Sequence, residues 1–534
     1  MKTSVDYIII GAGPAGLQLA YHLQQAGHSY LVLERGKGAG TFFKTFPRHR
    51  TLISSNKVHT GVSDAETNLR WDWNSLLTDD HSHLFKDYSE AYFPGADTFV
   101  RYLADFAKRF KLNIRFGTDI AKIDRDGDFV LTDVKGRTYT CKRLVMASGV
   151  TKPYIPRIPG IELIENYVSV DVNPKAFQNQ RVLILGKGNS AFETAENLIQ
   201  SSAIIHIASP NPLKLAWKTH FVGHLRAVNN NFLDTYQLKS QNAVLDCTIE
   251  KIRRRNGKLV VSVKYTHAED EHEDLVYDRV IACTGFRFDA SMFAPACRPA
   301  LTINDRFPDQ TAAWESVNVK DLYFAGTITQ MRDFKKTNSG FIHGYRYNVR
   351  ALARLLDSRY HGASLAKETF PATVEEVQKR VLRRLNSSSA LWQQFGFLFD
   401  VVEVDGEDAR YMEELPADYF LESKEWRERR LYTIGLEFGH IEDDPFNVPR
   451  FPRADKADKS TFLHPVIRYY EGGEMRNELH LLENLYGEWR DPELHVRPLR
   501  ELLTEQLRRG QAARSARTPG FGAKRGAGAP QVTR

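Results

Sequence analysis

Cysteine is scarce in this 534-residue chain: Cys141, Cys247, Cys283 and Cys297 are the only four, and none forms a C-x-x-C pair. So few thiols in so long a chain argue against a disulfide framework, and the paired ligand spacing of a zinc site is missing. The exclusion that matters for mechanism is that electron relay through a close dithiol has no local pair to use. Long hydrophobic runs are missing as well, since no stretch reaches the ~18 apolar residues of a membrane span. The first strand, Asp6-Tyr7-Ile8-Ile9-Ile10, starts almost at once, before any basic n-region, apolar h-region or cleavage site. The final residues, Gln531-Val532-Thr533-Arg534, carry no retention tetrapeptide. A cytoplasmic protein with no membrane span is expected.

Acid is lacking from residues 511–534, which hold Arg514, Arg517, Lys524, Arg525 and Arg534. Those five cations account for most of the net charge of +7, so the body before them is close to neutral. A basic, Gly/Ala-rich terminus of this kind reads as a disordered solubilising tail, and no nucleic-acid partner is expected.

What the sequence does hold is an internal repeat. VDYIIIGAGPAGLQLAYHLQQAGHSYLVLERG (5–36) and RVLILGKGNSAFETAENLIQSSAIIHIAS (181–209) share one order of apolar strand, glycine-rich turn, amphipathic helix and second strand. A third strand and turn, DLYFAGT (321–327), lead into a helical stretch at 340–356. The expected fold is α/β. An FAD-binding Rossmann unit is formed by 1–150 and 286–359, a nicotinamide-nucleotide unit is inserted at 151–285, a mostly helical extension covers 360–510, and the tail covers 511–534.

In the first box Gly11 makes the tight turn, Gly13 lets the backbone approach a pyrophosphate, and Gly16 lets helix and strand close on each other. Pro14 and Ala15 open a helix whose free N–H groups and positive dipole end face the phosphates. The second strand ends at Glu34, about twenty residues on, where an acid accepts from a ribose hydroxyl; Arg35 follows it at the same cofactor end. In the second box, Gly186-Lys187-Gly188-Asn189-Ser190-Ala191, alanine replaces the third glycine. Its second strand ends at Ser209 instead of an acid, which removes a charge that would repel a 2′-phosphate and points to NADPH. Lys214, or Lys218, supplies a matching cation. His220-x-x-x-His224 and His81-x-His83 read as surface histidines, while Trp71, Trp73 and Trp217 are candidates to wall a pocket.

The two boxes, with GxGNSAxE in the second, resemble the flavin-containing monooxygenase group. The chain is still more similar to the FAD-dependent oxidoreductase-domain flavoproteins of the endoplasmic reticulum, through FPRHRTLISSNK (46–57), NLRWDWNSLL (68–77), LILGKGNSAFETAEN (183–197), LDTYQLKS (233–240), SGFIHGYRYNVRAL (339–352) and HPVIRYY (464–470). The resemblance implies that Thr41-Phe42 lies near the flavin pyrophosphate, and that Gly326-Thr327, Phe341 and His343 belong to the cofactor site. It also implies that Asn56-Lys57 lies beside the reactive flavin face, as catalytic candidates. The other reading of Asn56, a loop asparagine capping backbone, stays open. The Baeyer–Villiger signature is reduced to Ile158-Pro159-Gly160, with Ile164 in place of its histidine and Leu52 near the place of its aspartate, so that chemistry is not expected.

The expected function is therefore that of an FAD-dependent, NADPH-reduced monooxygenase acting through a flavin hydroperoxide on a small molecule, with molecular oxygen as co-substrate. The alternatives are a peroxide-releasing oxidase or flavin reductase and a flavin-stabilised interaction protein.

Overall fold

The computed structural model describes residues 3–237, 241–440, 444 and 446–515. The apolar run Tyr7–Ile10 is buried on both faces, as a central parallel strand must be. Strand Thr3–Ile10 pairs in parallel with Tyr30–Leu33 on one side and Thr138–Met146 on the other. The last residues of Thr138–Met146 also pair in parallel with Leu322–Phe324, so a segment more than 170 residues downstream re-enters the first sheet. Four parallel strands thus end together at Ile10, Leu33, Met146 and Phe324. The carboxyl edge of such a sheet is where its ligands bind.

The second seven-stranded sheet is built from residues 165–282, with Arg181–Leu185 between Ile204–Ser209 and Arg279–Ala282, all parallel. The chain passes into and out of this sheet through a short antiparallel ribbon, Lys152–Pro153 against Phe286–Arg287.

Beyond residue 360 the structure adds something the sequence did not announce. The expected helices are present, notably Val374–Ser387 and Arg497–Ser515, but they pack on a six-stranded antiparallel sheet. The aromatic HPVIRYY segment is one of its strands, His464–Glu471. Arg497–Ser515 also runs through residue 511, where the tail was expected to start; residues 516–534 lie outside the described residues. Among the described residues no helix is long and apolar enough to cross a membrane.

The 20-residue helix Ile342–His361 joins the parts. It packs along helix Pro14–Gln25, and its middle turns meet the appended sheet. There Glu414 bridges Arg350 at 2.7 Å and Arg354 at 3.5 Å, and Arg384 at 3.0 Å from the neighbouring helix.

Candidate functional site

A long cleft opens at the carboxyl edge of the first sheet, lined by Gly11, Gly13, Pro14, Ala15, Glu34, Arg35, Thr41, Phe42, Gly326 and Thr327. All ten are residues the sequence assigned to the flavin. Gly11 has φ +106°, and a Cβ there would lie 2.8 Å from the Ala147 carbonyl oxygen. A Cβ on Gly16 would lie 1.9 Å from the Gly11 carbonyl oxygen. A Cβ on Gly13 would meet no protein atom within 4 Å. Gly11 and Gly16 are thus glycines because of the protein, whereas Gly13 leaves open ground directly before the helix Pro14–Gln25, where an anion would be received.

Glu34 has a further role. Its carboxylate accepts from Ala12 N at 2.8 Å, Gly36 N at 2.7 Å and Thr41 Oγ1 at 2.8 Å. With roughly four lone-pair positions, it staples the turn and keeps one for a ribose hydroxyl. On the same wall Thr118 is buried, with Oγ1 lacking any hydrogen-bond partner. An open pyrophosphate cradle, a carboxylate with one free position and an orphaned hydroxyl together fit FAD.

The second cleft is lined by Gly188, Asn189, Ser190, Trp73, Phe341 and His343, among others. A Cβ on Gly186 would lie 2.3 Å from Cys283 O, while one on Gly188 would meet nothing within 4 Å, repeating the pattern of the first box. Asn189 is occupied by the protein itself: Nδ2 donates to His224 O at 2.8 Å, and Oδ1 accepts from Arg226 N at 3.0 Å and Asn229 Nδ2 at 2.9 Å. Ser209 and Lys214 do not line this cleft; Lys214 is exposed, within electrostatic reach of His224 and Lys335. An acid does stand next to Ser209 after all, because the parallel register sets Asp246 beside it. Lys187 pairs with that carboxylate and also donates to Ser209 O at 3.2 Å.

Several groups on this wall have altered proton affinities. Burial pushes the Glu193 carboxyl up to about 7, against a hydrogen bond from Asn229, with Glu196 adding to the rise. The sequence carried a signal for this residue, since Glu193 lies four positions after Asn189 and so on the same helix face. His343 is held well below its ordinary value by burial and by Arg346 and Arg226, so it is neutral at pH 7. Its ring stacks on Trp73 at 4.1 Å, and its Nε2 has no hydrogen-bond partner. Cys283 also faces this cleft, but burial raises its thiol to about 12. All four cysteines are buried and unpaired.

Asn56 and Lys57 are not where the resemblance put them. Neither lines either cleft. Asn56 is buried, and its Nδ2 donates to the carbonyls of Ser89 at 2.6 Å and Ala91 at 3.2 Å. Lys57 is exposed. The capping reading holds for Asn56, and the pair is withdrawn as catalytic. Asn56→Asp is therefore expected to lower stability by about 1–3 kcal/mol, through two unpartnered carbonyls. Flavin content per polypeptide should not change. Thermal unfolding and visible flavin absorbance check both halves.

The two clefts touch: Phe42, Phe43, Thr327 and Tyr345 line both. A ligand in the first cleft and a dinucleotide on the second box would meet at that shared wall.

Comparison with known proteins agrees with this geometry. The family model described as pyridine nucleotide-disulphide oxidoreductase matches residues 8–326. The chain is 39% identical to the mouse FAD-dependent oxidoreductase domain-containing protein 2, over 94% of this chain and 84% of that one. Among solved structures, a flavin-containing monooxygenase from Stenotrophomonas maltophilia superposes with TM-score 0.52 at 17% identity, covering 68% of this chain and 100% of its own. A bacillithiol disulfide reductase from Staphylococcus aureus gives TM-score 0.51 at 18% identity, covering 67% and 99%. At these identities the two structures speak for the two-dinucleotide fold alone.

Proposed function

The chain belongs to the pyridine nucleotide-disulphide oxidoreductase family, alongside the FAD-dependent oxidoreductase domain-containing protein 2 relatives, and from that premise we propose that it is an NADPH-reduced, FAD-dependent monooxygenase acting on a heteroatom of a small organic molecule. The observation that carries this reading is the shared wall of Phe42, Phe43, Thr327 and Tyr345. Such a wall supports the reading because a nicotinamide seated on the second box would meet a ring in the first cleft there. The overall balance is NADPH, a proton, oxygen and substrate giving NADP⁺, water and oxygenated substrate.

The bound flavin supplies the hydride acceptance and the reaction with oxygen. The chain's own residues orient and enclose. The helices Pro14–Gln25 and Asn189–Leu198 would offer their N-termini to the pyrophosphates of FAD and of the nicotinamide dinucleotide. Phe42 and Phe43 on the shared wall, with Phe46, Phe286 and Phe341 along the second cleft, make this lining apolar, which would limit water where water would divert the reaction to peroxide. The neutral His343 adds no charge there. Cys283, protonated and alone, offers no thiol relay, which favours transfer to oxygen over transfer to a disulfide.

Two measurements test the reading. NADPH consumed is compared with peroxide released, with and without candidate amines. Substrate that draws peroxide below NADPH supports oxygenation, and stoichiometric peroxide under every condition makes the protein an oxidase. For the donor, NADPH is expected to show a lower KM than NADH. The Asp246 carboxylate is matched by Lys187, so a 2′-phosphate would not face a bare acid. Lys214, exposed and outside the cleft lining, is proposed as the partner of a 2′-phosphate that projects beyond the cleft; Lys214→Ala should then raise the KM for NADPH selectively, by about 5- to 100-fold. Equal use of both nucleotides by the wild type would refute the preference.

A further inference from the structure

A third cavity, of about 540 Å³, lies where the loop around residues 216–227 meets the appended region. Its walls include Trp217, His220, Trp392, Phe395, Phe438 and Phe462. His220 stacks on Phe438 with ring centroids 3.9 Å apart and planes within 11°, and Phe395 meets Phe438 edge-on at 4.9 Å. The cavity shares Trp73, Val222 and Arg226 with the second cleft. Those three residues form a partition with a ligand space on each side.

Arg226 is the unusual member of the partition. Its guanidinium lies over the Trp73 ring at 5.1 Å, and Nη1 donates to Ile53 O at 2.9 Å. Among the described residues no carboxylate pairs with it, whereas Arg450, on the wall of the same cavity, is matched by Glu483 at 2.8 Å. A partly buried cation with one carbonyl partner carries a desolvation cost that an anion on it would offset. His220 Nε2 also lacks a hydrogen-bond partner.

We propose that this cavity binds an organic anion with a flat aromatic body, its carboxylate on Arg226 and its ring against the His220–Phe438 stack. It rests on the monooxygenase reading only in calling that anion the substrate; the binding stands independently. The aromatic wall supplies area and ring stacking, and the guanidinium supplies a charge-assisted, directional contact. Binding there would set the substrate against the partition, one side chain away from the second cleft. The rival occupant of Arg226 is a phosphate of the dinucleotide, because the residue faces that cleft too.

The test is calorimetric titration of the FAD-loaded protein with 2-naphthoate and with its neutral isostere 2-naphthamide, alongside NADP⁺. The acid is expected to bind at least about tenfold tighter than the amide, the scale of a hydrogen bond to a charged group. Arg226→Gln should erase that difference while leaving the amide and NADP⁺ nearly unchanged, and Arg226→Lys should keep part of it. Phe438→Ala should weaken acid and amide together. Equal binding of acid and amide by the wild type overturns the proposal. So does an Arg226→Gln protein that loses NADP⁺ affinity and keeps the acid-to-amide ratio. Coupled turnover without naphthoate binding would sink this site alone, whereas naphthoate binding without coupled turnover would sink the monooxygenase reading and leave the site.

Discussion

Gly13→Val is expected to give a folded protein without flavin. The residue has φ −78° and ψ −178°, an extended conformation that valine adopts readily, and a Cβ at that point touches no protein atom within 4 Å. The fold therefore has no objection to the side chain. The ligand does, because the isopropyl group would fill the ground in front of the helix N-terminus. The expected loss of FAD affinity is at least about 100-fold, from displaced backbone contacts to a doubly charged pyrophosphate. Gly16→Val is the contrasting case. Its Cβ would stand 1.9 Å from Gly11 O, so it should disturb strand and helix even without ligand. Visible flavin absorbance per polypeptide, together with thermal unfolding of the flavin-free proteins, separates the two. A Gly13→Val protein with wild-type flavin content would overturn the placement of the pyrophosphate.

The largest stability effect is expected at Glu414→Gln. This side chain is buried and serves Arg350, Arg354 and Arg384 at once. Burial alone would raise its pKa; the three arginines outweigh burial and hold the carboxyl well below the usual range. Losing the carboxylate leaves buried guanidinium groups short of a counter-charge, at a cost of about 3–5 kcal/mol. The sign with pH follows from the depressed value. The stabilisation is complete above the ordinary carboxylate pKa of about 4.3 and is lost as pH falls through the folded-state value. Denaturant melts of wild type and variant should differ most at neutral pH and converge in acid. A difference under about 1 kcal/mol at pH 7, typical of a surface pair, would show that Glu414 is not the keystone of this cluster.

The glycine boxes were legible because their chemistry is local: a turn, a strand and a helix start lie within a dozen residues. Gly326 was legible for the same reason. Asp246 was not, since it reaches Ser209 only across a parallel register between strands some forty residues apart. Asn56 misled because the resemblance fixes the order of residues and not the direction of a side chain; here neighbouring carbonyls at 89 and 91 took the amide. The appended sheet was hidden by its own charges. Strand Leu398–Asp405 is buried along almost its whole length, yet it contains Asp400 and Glu403, each paired inside the fold with arginine. Acids in such a strand break the apolar pattern that would have marked it.

Helix Ile342–His361 places Tyr345 at the first cleft and Arg350 and Arg354 on Glu414. A ribosome that releases the chain just after His361 has already made every residue lining the first cleft, but not the carboxylate that settles those two arginines. Flavin bound per polypeptide, compared between the full chain and one ended just after His361, would therefore read how far a cleft built from early residues leans on a carboxylate made later.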